Sequence, residues 1–233
     1  MSYDLDGTDD YLSGTAADVP NDVGSFLVWF KPDFAENYSG SAHFWFSVEP
    51  AGYKTLYMPG AFSNFRKDFD GWQRDDTIDT AWAVAGWQAL VLTWDKSGPT
   101  VTAQIDSETV SVGTPSGTWG STAEGTNWFL GKYTDASGYF DGRLAHVAFW
   151  STVLSSGNRT SLLGGANPLA ISAGTLVSYW PLTGDATSAV GDADLSVTGA
   201  TLQAGDNPTV DPPPTPGEAG VKLNSYRRRR VSL

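Results

Sequence analysis

The chain has 233 residues, 40% of them hydrophobic and 17% charged, with 10 Trp, 26 Gly, 13 Pro and no Cys. That balance excludes a disordered polyelectrolyte and a coiled coil, and the absence of thiols excludes disulfides, Cys-ligated metals and thiol catalysis. The net charge of −12 is uneven: residues 1–206 carry 9 basic against 24 acidic side chains, and residues 207–233 carry 5 against 2. The body therefore repels nucleic acid and anionic membrane, while the basic end seeks acidic surfaces.

No apolar run approaches the roughly 18 residues of a membrane helix, and the polar residues after Met1 do not read as a signal peptide. Residues 24–31 (GSFLVWFK) alternate Phe26, Val28 and Phe30 with Leu27 and Trp29. Both sets are apolar, which predicts a strand buried between layers. Strands at 42–49 and 53–58 follow, and the Glu-Pro-Ala-Gly turn between them reads as a hairpin. Residues 86–95 (GWQALVLTWD) carry the strongest strand pattern. After the Lys96-Ser97-Gly98-Pro99 turn come strands at 100–106, 108–113, 127–132 and 142–151. Residues 154–165 read as a short helix, with Ser155 as N-cap and Gly164 as its stop.

Strands at 174–181 and 195–202 end the body. Five Pro then fall within 207–220, which disfavours helix and ladder alike and predicts an extended connector. The expected organisation is a sandwich over 1–206, a Pro-rich linker over 207–220 and a basic arm over 221–233.

Several segments, in this order, resemble the laminin G-like, concanavalin A-like jelly-roll superfamily. They are DLDGTDDYLS (4–13), GSFLVWFKP (24–32), WQALVLTWD (87–95) and FLGKYTDASGYFDGRLAHVAFWSTVLSS (129–156). The resemblance implies an all-β, two-sheet antiparallel jelly-roll sandwich with one short helix and an extended C-terminal arm. One segment departs from the family's order. LVSYWPLTGDATSAVGDADLSVTGATL (176–202) resembles a stretch that most members carry before the DGTDDY motif, and here it comes last. That order requires the strand ending near Leu202 to lie beside the strand starting near Tyr3.

The late position, followed by a Pro-rich stretch and a basic end, is similar to versions common in virion proteins of tailed bacteriophages. It implies a non-enzymatic structural protein located in the virion, such as a capsid decoration or accessory protein. Its partners would be the major capsid or other virion proteins and further copies of itself. The rival reading is a lectin-like module for host or environmental glycans.

The superfamily includes glucanases that carry Glu-x-Asp-x-Glu on one strand, and retaining hydrolysis needs two carboxyl groups about 5 Å apart. Here Glu36, Glu49, Glu108, Glu124 and Glu218 offer no such spacing. His43 and His146 stand in no metalloprotease or nucleophile-elbow context. No catalytic residue is assigned, and His146 is expected to be a packed or surface strand residue. Asp clusters in loops suit calcium by ligand type. Asp70 and Asp75, within 69–79, and Asp68 just before that segment are the candidates, although the segment lacks the Asp-x-Asp-x-Asp-Gly pattern. Asp9 and Asp10 are expected to shape a turn, and no other cofactor is implied.

For glycans, the aromatic and polar residues read as loop positions are Tyr53, Trp72, Arg74 and Trp82, with Trp119, Tyr133 and Tyr139 beside them. The same residue types equally serve protein contacts. In the arm, Tyr226 and Arg227, Arg228, Arg229 and Arg230 are the candidate partner-binding residues. They would order on an acidic neighbour rather than on nucleic acid, which the acidic body opposes.

Overall fold

The computed structural model describes residues 1–34, 42–49, 54–58, 64–69, 72–77, 86–98, 100–106, 111–113, 125–135, 138–171, 176–191 and 193–212. The chain opens with β1 (Ser2–Asp6), β2 (Tyr11–Thr15) and β3 (Val23–Pro32). A run of antiparallel hairpins follows: β4 (His43–Val48), β5 (Lys54–Met58), β6 (Asn64–Phe69) and β7 (Trp72–Thr77). Next come β8 (Gln88–Asp95), β9 (Thr100–Ile105), β10 (Ser111–Gly113), β11 (Asn127–Leu130) and β12 (Asp141–Trp150). Helix α1 (Ser156–Leu163) precedes β13 (Leu176–Trp180), β14 (Ser196–Thr198) and β15 (Thr201–Gln203).

The described strands form two antiparallel sheets. Sheet A runs β10-β9-β8-β3-β12-β1-β15, with β13 also beside β12; sheet B runs β14-β2-β11-β4-β5-β6-β7. The two apolar faces of β3 now have separate partners. Phe26, Val28 and Phe30 fill the space between the sheets together with Trp45, Trp94, Trp128 and Trp180. Leu27 and Trp29 join Trp150, Leu162 and Leu163 on the outer face of sheet A, beneath α1. Burying side chains of this size stabilises by roughly 1.5–3 kcal/mol each.

Helix α1 starts where the sequence places its cap: Ser155 Oγ accepts from the Asn158 amide at 3.2 Å. Ser155→Ala is expected to cost about 1 kcal/mol, read as a lower urea midpoint at unchanged slope.

Two expectations need correction. The predicted strand over 195–202 is two strands, because Gly199 takes φ +70° and turns the chain from one sheet to the other. β14 then pairs with β2 at the edge of sheet B, and β15 pairs with β1 at the edge of sheet A. In that second ladder Tyr3 faces Leu202, the adjacency that the late segment requires. The stretch read as a loop over 69–79 is largely strand. Its charged sequence has low strand propensity, but the edge of β5 offers ladder partners: Lys54 pairs with Phe69 and Tyr57 with Arg66, and β7 pairs in turn with β6.

Residues 203–211 are bound to the body. Gln203 Nε2 donates to Asp4 at 3.2 Å, and Ser2 Oγ donates to the Asp206 carbonyl at 3.0 Å. Pro208 is buried and Val210 packs on the outer-face cluster of sheet A. The Asp211 amide donates to the Gly165 carbonyl at 2.7 Å, and Asn167 Nδ2 donates to the Asp211 carbonyl at 3.0 Å. The first residues of the Pro-rich stretch thus lie beside α1. Tyr226 and Arg227 to Arg230 fall outside the described residues. Among the described residues, no helix is long and apolar enough to cross a membrane.

Candidate functional site

Two places collect polar chemistry. The first is the turn between β1 and β2. Asp6 Oδ1 accepts from the amides of Thr8 at 2.8 Å and Asp9 at 3.3 Å, while the Asp6 amide donates to Asp10 Oδ2 at 3.1 Å. Carboxylate oxygens of Asp6, Asp9 and Asp10 lie within 4.8 Å of one another. Asp4, Asp33 and Asp141 join Asp6 and Asp10 around a cleft of about 410 Å³. Burial, and then the charges of Asp6, Asp9 and Asp4, push the Asp10 carboxyl above the usual range. Burial, and then Asp33, Asp4 and Asp6, do the same to Asp141.

Oxygen-only donors suit calcium in type, and the spacing is near that of a retaining glycosidase pair. Yet Asp6 and Asp10 already hold backbone amides of the turn, which is what the sequence leads one to expect of Asp here. Gly199 completes the packing, since a Cβ there would stand 1.8 Å from Asp10 Oδ1.

The second place is the outer face of sheet B. Leu12, Trp128 and Leu130 point into the core, so the alternating positions Tyr11, Ser13 and Phe129 take the outer side. Tyr11 and Phe129 meet edge-to-face with ring centroids 5.8 Å apart. Gly131 then turns the chain at φ +83°, where a Cβ would meet Leu5 Cδ2 at 2.1 Å. The turn sets Lys132 over both rings, its Nζ 3.8 Å from the Tyr11 centroid and 4.2 Å from that of Phe129.

Lys132 forms a bridge pair with Tyr139, and its carbonyl accepts from Ser47 Oγ at 2.8 Å. The backbone of Tyr139 is fixed in turn by His43, whose Nδ1 meets the Tyr139 carbonyl at 3.0 Å. Burial, and then Asp9 and Tyr11, push the Tyr139 phenol above its ordinary pKa. Tyr11, Lys132 and Tyr139 are all half-buried, so each keeps a surface for a ligand. Two tyrosines, a lysine and a nearby aspartate supply what saccharides need: ring faces for C–H patches, and donors and an acceptor for hydroxyls.

The candidate residues read from sequence are distributed differently. Trp72 and Arg74 lie on β7, in register with Phe69 and Lys67. Those ladder rows run on through Lys54 and Leu56 to Val48 and Phe46, and Val48, Leu56 and Phe46 are core residues. Asp68 and Asp75 are in register with Gln73 and Arg66, in the alternate rows that contain Thr55 and Tyr57. By register, Trp72 and Arg74 thus fall in one set of ladder rows and Asp68 and Asp75 in the alternate set. Tyr53, Asp70 and Trp82 fall outside the described residues. Tyr139 was among the sequence candidates, whereas Tyr11, Phe129 and Lys132 were not. Trp87, just ahead of β8, is half-exposed and donates Nε1 to Asp206 at 2.9 Å.

A two-sheet antiparallel sandwich with a helix on one outer face has the architecture of a jelly roll. Residues 6–158 match Laminin_G_3, and the chain belongs to this family of the concanavalin A-like lectin/glucanases superfamily. No curated protein matches the chain in sequence. Among solved structures, a provisional carbohydrate binding protein from Bacteroides ovatus has a TM-score of 0.64 at 15% identity over 91% of this chain. This chain spans 60% of that protein's length. The heptameric SAP-like pentraxin of Limulus polyphemus has a TM-score of 0.62 at 12% identity, covering 84% of this chain and 93% of the pentraxin. The CBM40 of Ruminococcus gnavus IT-sialidase, bound to α2,3 sialyllactose, has a TM-score of 0.54 at 11% identity, covering 70% of this chain and 95% of that domain. At these identities the likeness is one of fold.

Proposed function

We propose that the protein is a non-catalytic carbohydrate-binding module that holds saccharide on the outer face of sheet B, at Tyr11, Lys132 and Tyr139, with the buried Phe129 ring supporting Lys132 from beneath. The observation that carries this reading is the pairing of half-exposed tyrosine rings with a lysine on that face. Fold-likeness to a provisional carbohydrate binding protein and to a sialyllactose-bound CBM40 supports it. The test is a glycan array followed by calorimetry on Tyr11→Ala and Tyr139→Ala. Each variant is expected to lose at least about tenfold in affinity, about 1.4 kcal/mol, with the fold retained. Retention of full affinity by both variants would overturn the placement of the site.

A virion role remains a second proposal, and one observation favours it. Val210 and Asp211, near the end of the described residues, lie beside α1 on the outer face of sheet A, while the tyrosine patch lies on sheet B. An attachment arm carrying Tyr226 and Arg227 to Arg230 would then start on the side opposite the ligand. Removing residues 213–233 is expected to abolish incorporation into particles and to leave glycan retention intact. Incorporation without the arm would remove this role.

A further inference from the structure

The patch on sheet B contains an ammonium group with no counter-ion. Among the described side chains, Lys31, Lys96 and Arg143 each reach a carboxylate. Lys132 reaches none, and its contacts are the faces of Tyr11 and Phe129. It is half-buried, so part of its hydration is lost. Two ring faces compensate only in part for lost hydration, and the N–H donors on the solvent side stay free for an acceptor.

The unmatched group is therefore a cation, in a protein whose net charge is −12. We propose that the patch selects saccharides bearing a carboxylated sugar, its anion paired with Lys132 Nζ and its C–H face laid on Tyr11 or Tyr139. This rests on the glycan-binding reading and deepens it. The carboxylate belongs at Lys132 rather than at Tyr139, because Asp9 already places negative charge near the Tyr139 phenol. The acidic body also bears on ligand length. Its field repels long polyanions, which favours a short saccharide with a single carboxylate over a polyuronate chain.

The test uses matched pairs that differ in charge: sialyllactose against lactose, and a short oligogalacturonate against its methyl ester. Calorimetry at low and physiological salt compares the full chain with Lys132→Met and Lys132→Arg. The wild type is expected to favour the acidic member at least about tenfold, with the preference shrinking as salt rises. Lys132→Met should erase the preference and Lys132→Arg should keep it. The pair that shows the effect assigns the sugar, sialate or uronate. Equal affinity for acidic and neutral members, or a preference that survives in Lys132→Met, overturns the proposal. If neutral saccharides bind in a Tyr11-dependent way without charge preference, the inference falls and the module reading stands. If no saccharide binds, both fall.

Discussion

Asp206→Ala is expected to lower the unfolding free energy at pH 7 by about 3 kcal/mol. The carboxylate of Asp206 is the meeting point of three distant parts of the chain. It accepts from Lys31 Nζ on β3 and from an Arg143 guanidinium N–H on β12. It also accepts from Trp87 Nε1 at 2.9 Å, just ahead of β8. Hydrogen bonds to a charged group contribute about 1.5–3 kcal/mol each, less where solvent screens them. Removing the acceptor leaves Lys31, whose side chain is only 16% exposed, without a counter-charge. Arg143 fares better because its Nε keeps Asp4 Oδ1 at 3.5 Å.

Asp206→Asn keeps an acceptor for Trp87 and should lose about half as much. Urea denaturation decides the matter, and a loss under about 0.5 kcal/mol in Asp206→Ala would mean that the ion cluster does not hold the C-terminal segment. The hydrogen bond from Lys31 leads the effects that hold the Asp206 carboxyl below its ordinary range. Its contribution is therefore complete above the unfolded carboxyl pKa of about 3.9 and is lost as pH falls through the lower folded value.

The sandwich was legible because β3 writes its two burials into alternate residues, with Phe26, Val28 and Phe30 against Leu27 and Trp29. The position of the late segment was legible from the order of the family-like stretches, and the ladder from Tyr3 to Leu202 meets that requirement. The β6–β7 hairpin was not legible, because Arg66, Lys67, Asp68 and Asp75 suit a strand only once β5 provides an edge.

The aromatic patch on sheet B is hard to read from sequence for a different reason. The ring candidates that the sequence offers read as loop positions, while Tyr11 and Phe129 stand on strands. A usable signal was present: in YLSGT and NWFL the core positions are Leu12, Trp128 and Leu130, which leaves Tyr11 and Phe129 out of phase as outward aromatics. Nothing local announces Lys132, whose place over both rings depends on the turn at Gly131 and on the pairing of β2 with β11.

A second large effect is expected from His146, as a loss of stability between pH 6.5 and about 4. The residue lies where the neighbour of β12 changes from β1 to β13, and the ladder with β3 shifts register between Ala145 and Ala148. Its backbone takes φ +47°, its amide donates to the Pro181 carbonyl at 3.0 Å, and the side chain is 7% exposed. His146 Nδ1 lies 2.7 Å from Tyr179 Oη. Burial pushes the Tyr179 phenol well above its ordinary pKa, so it remains an O–H donor and the neutral imidazole accepts.

Burial, and then the nearby N-terminal ammonium, lower the His146 pKa from 6.5 to about 4. In that interval the unfolded chain binds a proton that the folded chain refuses, so stability falls as pH falls, by about 3 kcal/mol in all. The contribution is complete above pH 6.5 and changes little below pH 4, where loss of the Asp206 cluster takes over. His43, also lowered by burial, titrates in the same direction, so the absolute pH curve does not isolate His146. His146→Asn does. Asn tolerates the positive φ and carries no titrating group, so it keeps the backbone and removes the proton site. The variant starts less stable at pH 7 because the packed ring is gone, yet it should lose about 3 kcal/mol less than the wild type between pH 7 and pH 4. Parallel pH curves for the two proteins would mean that His146 accepts its proton within the folded state.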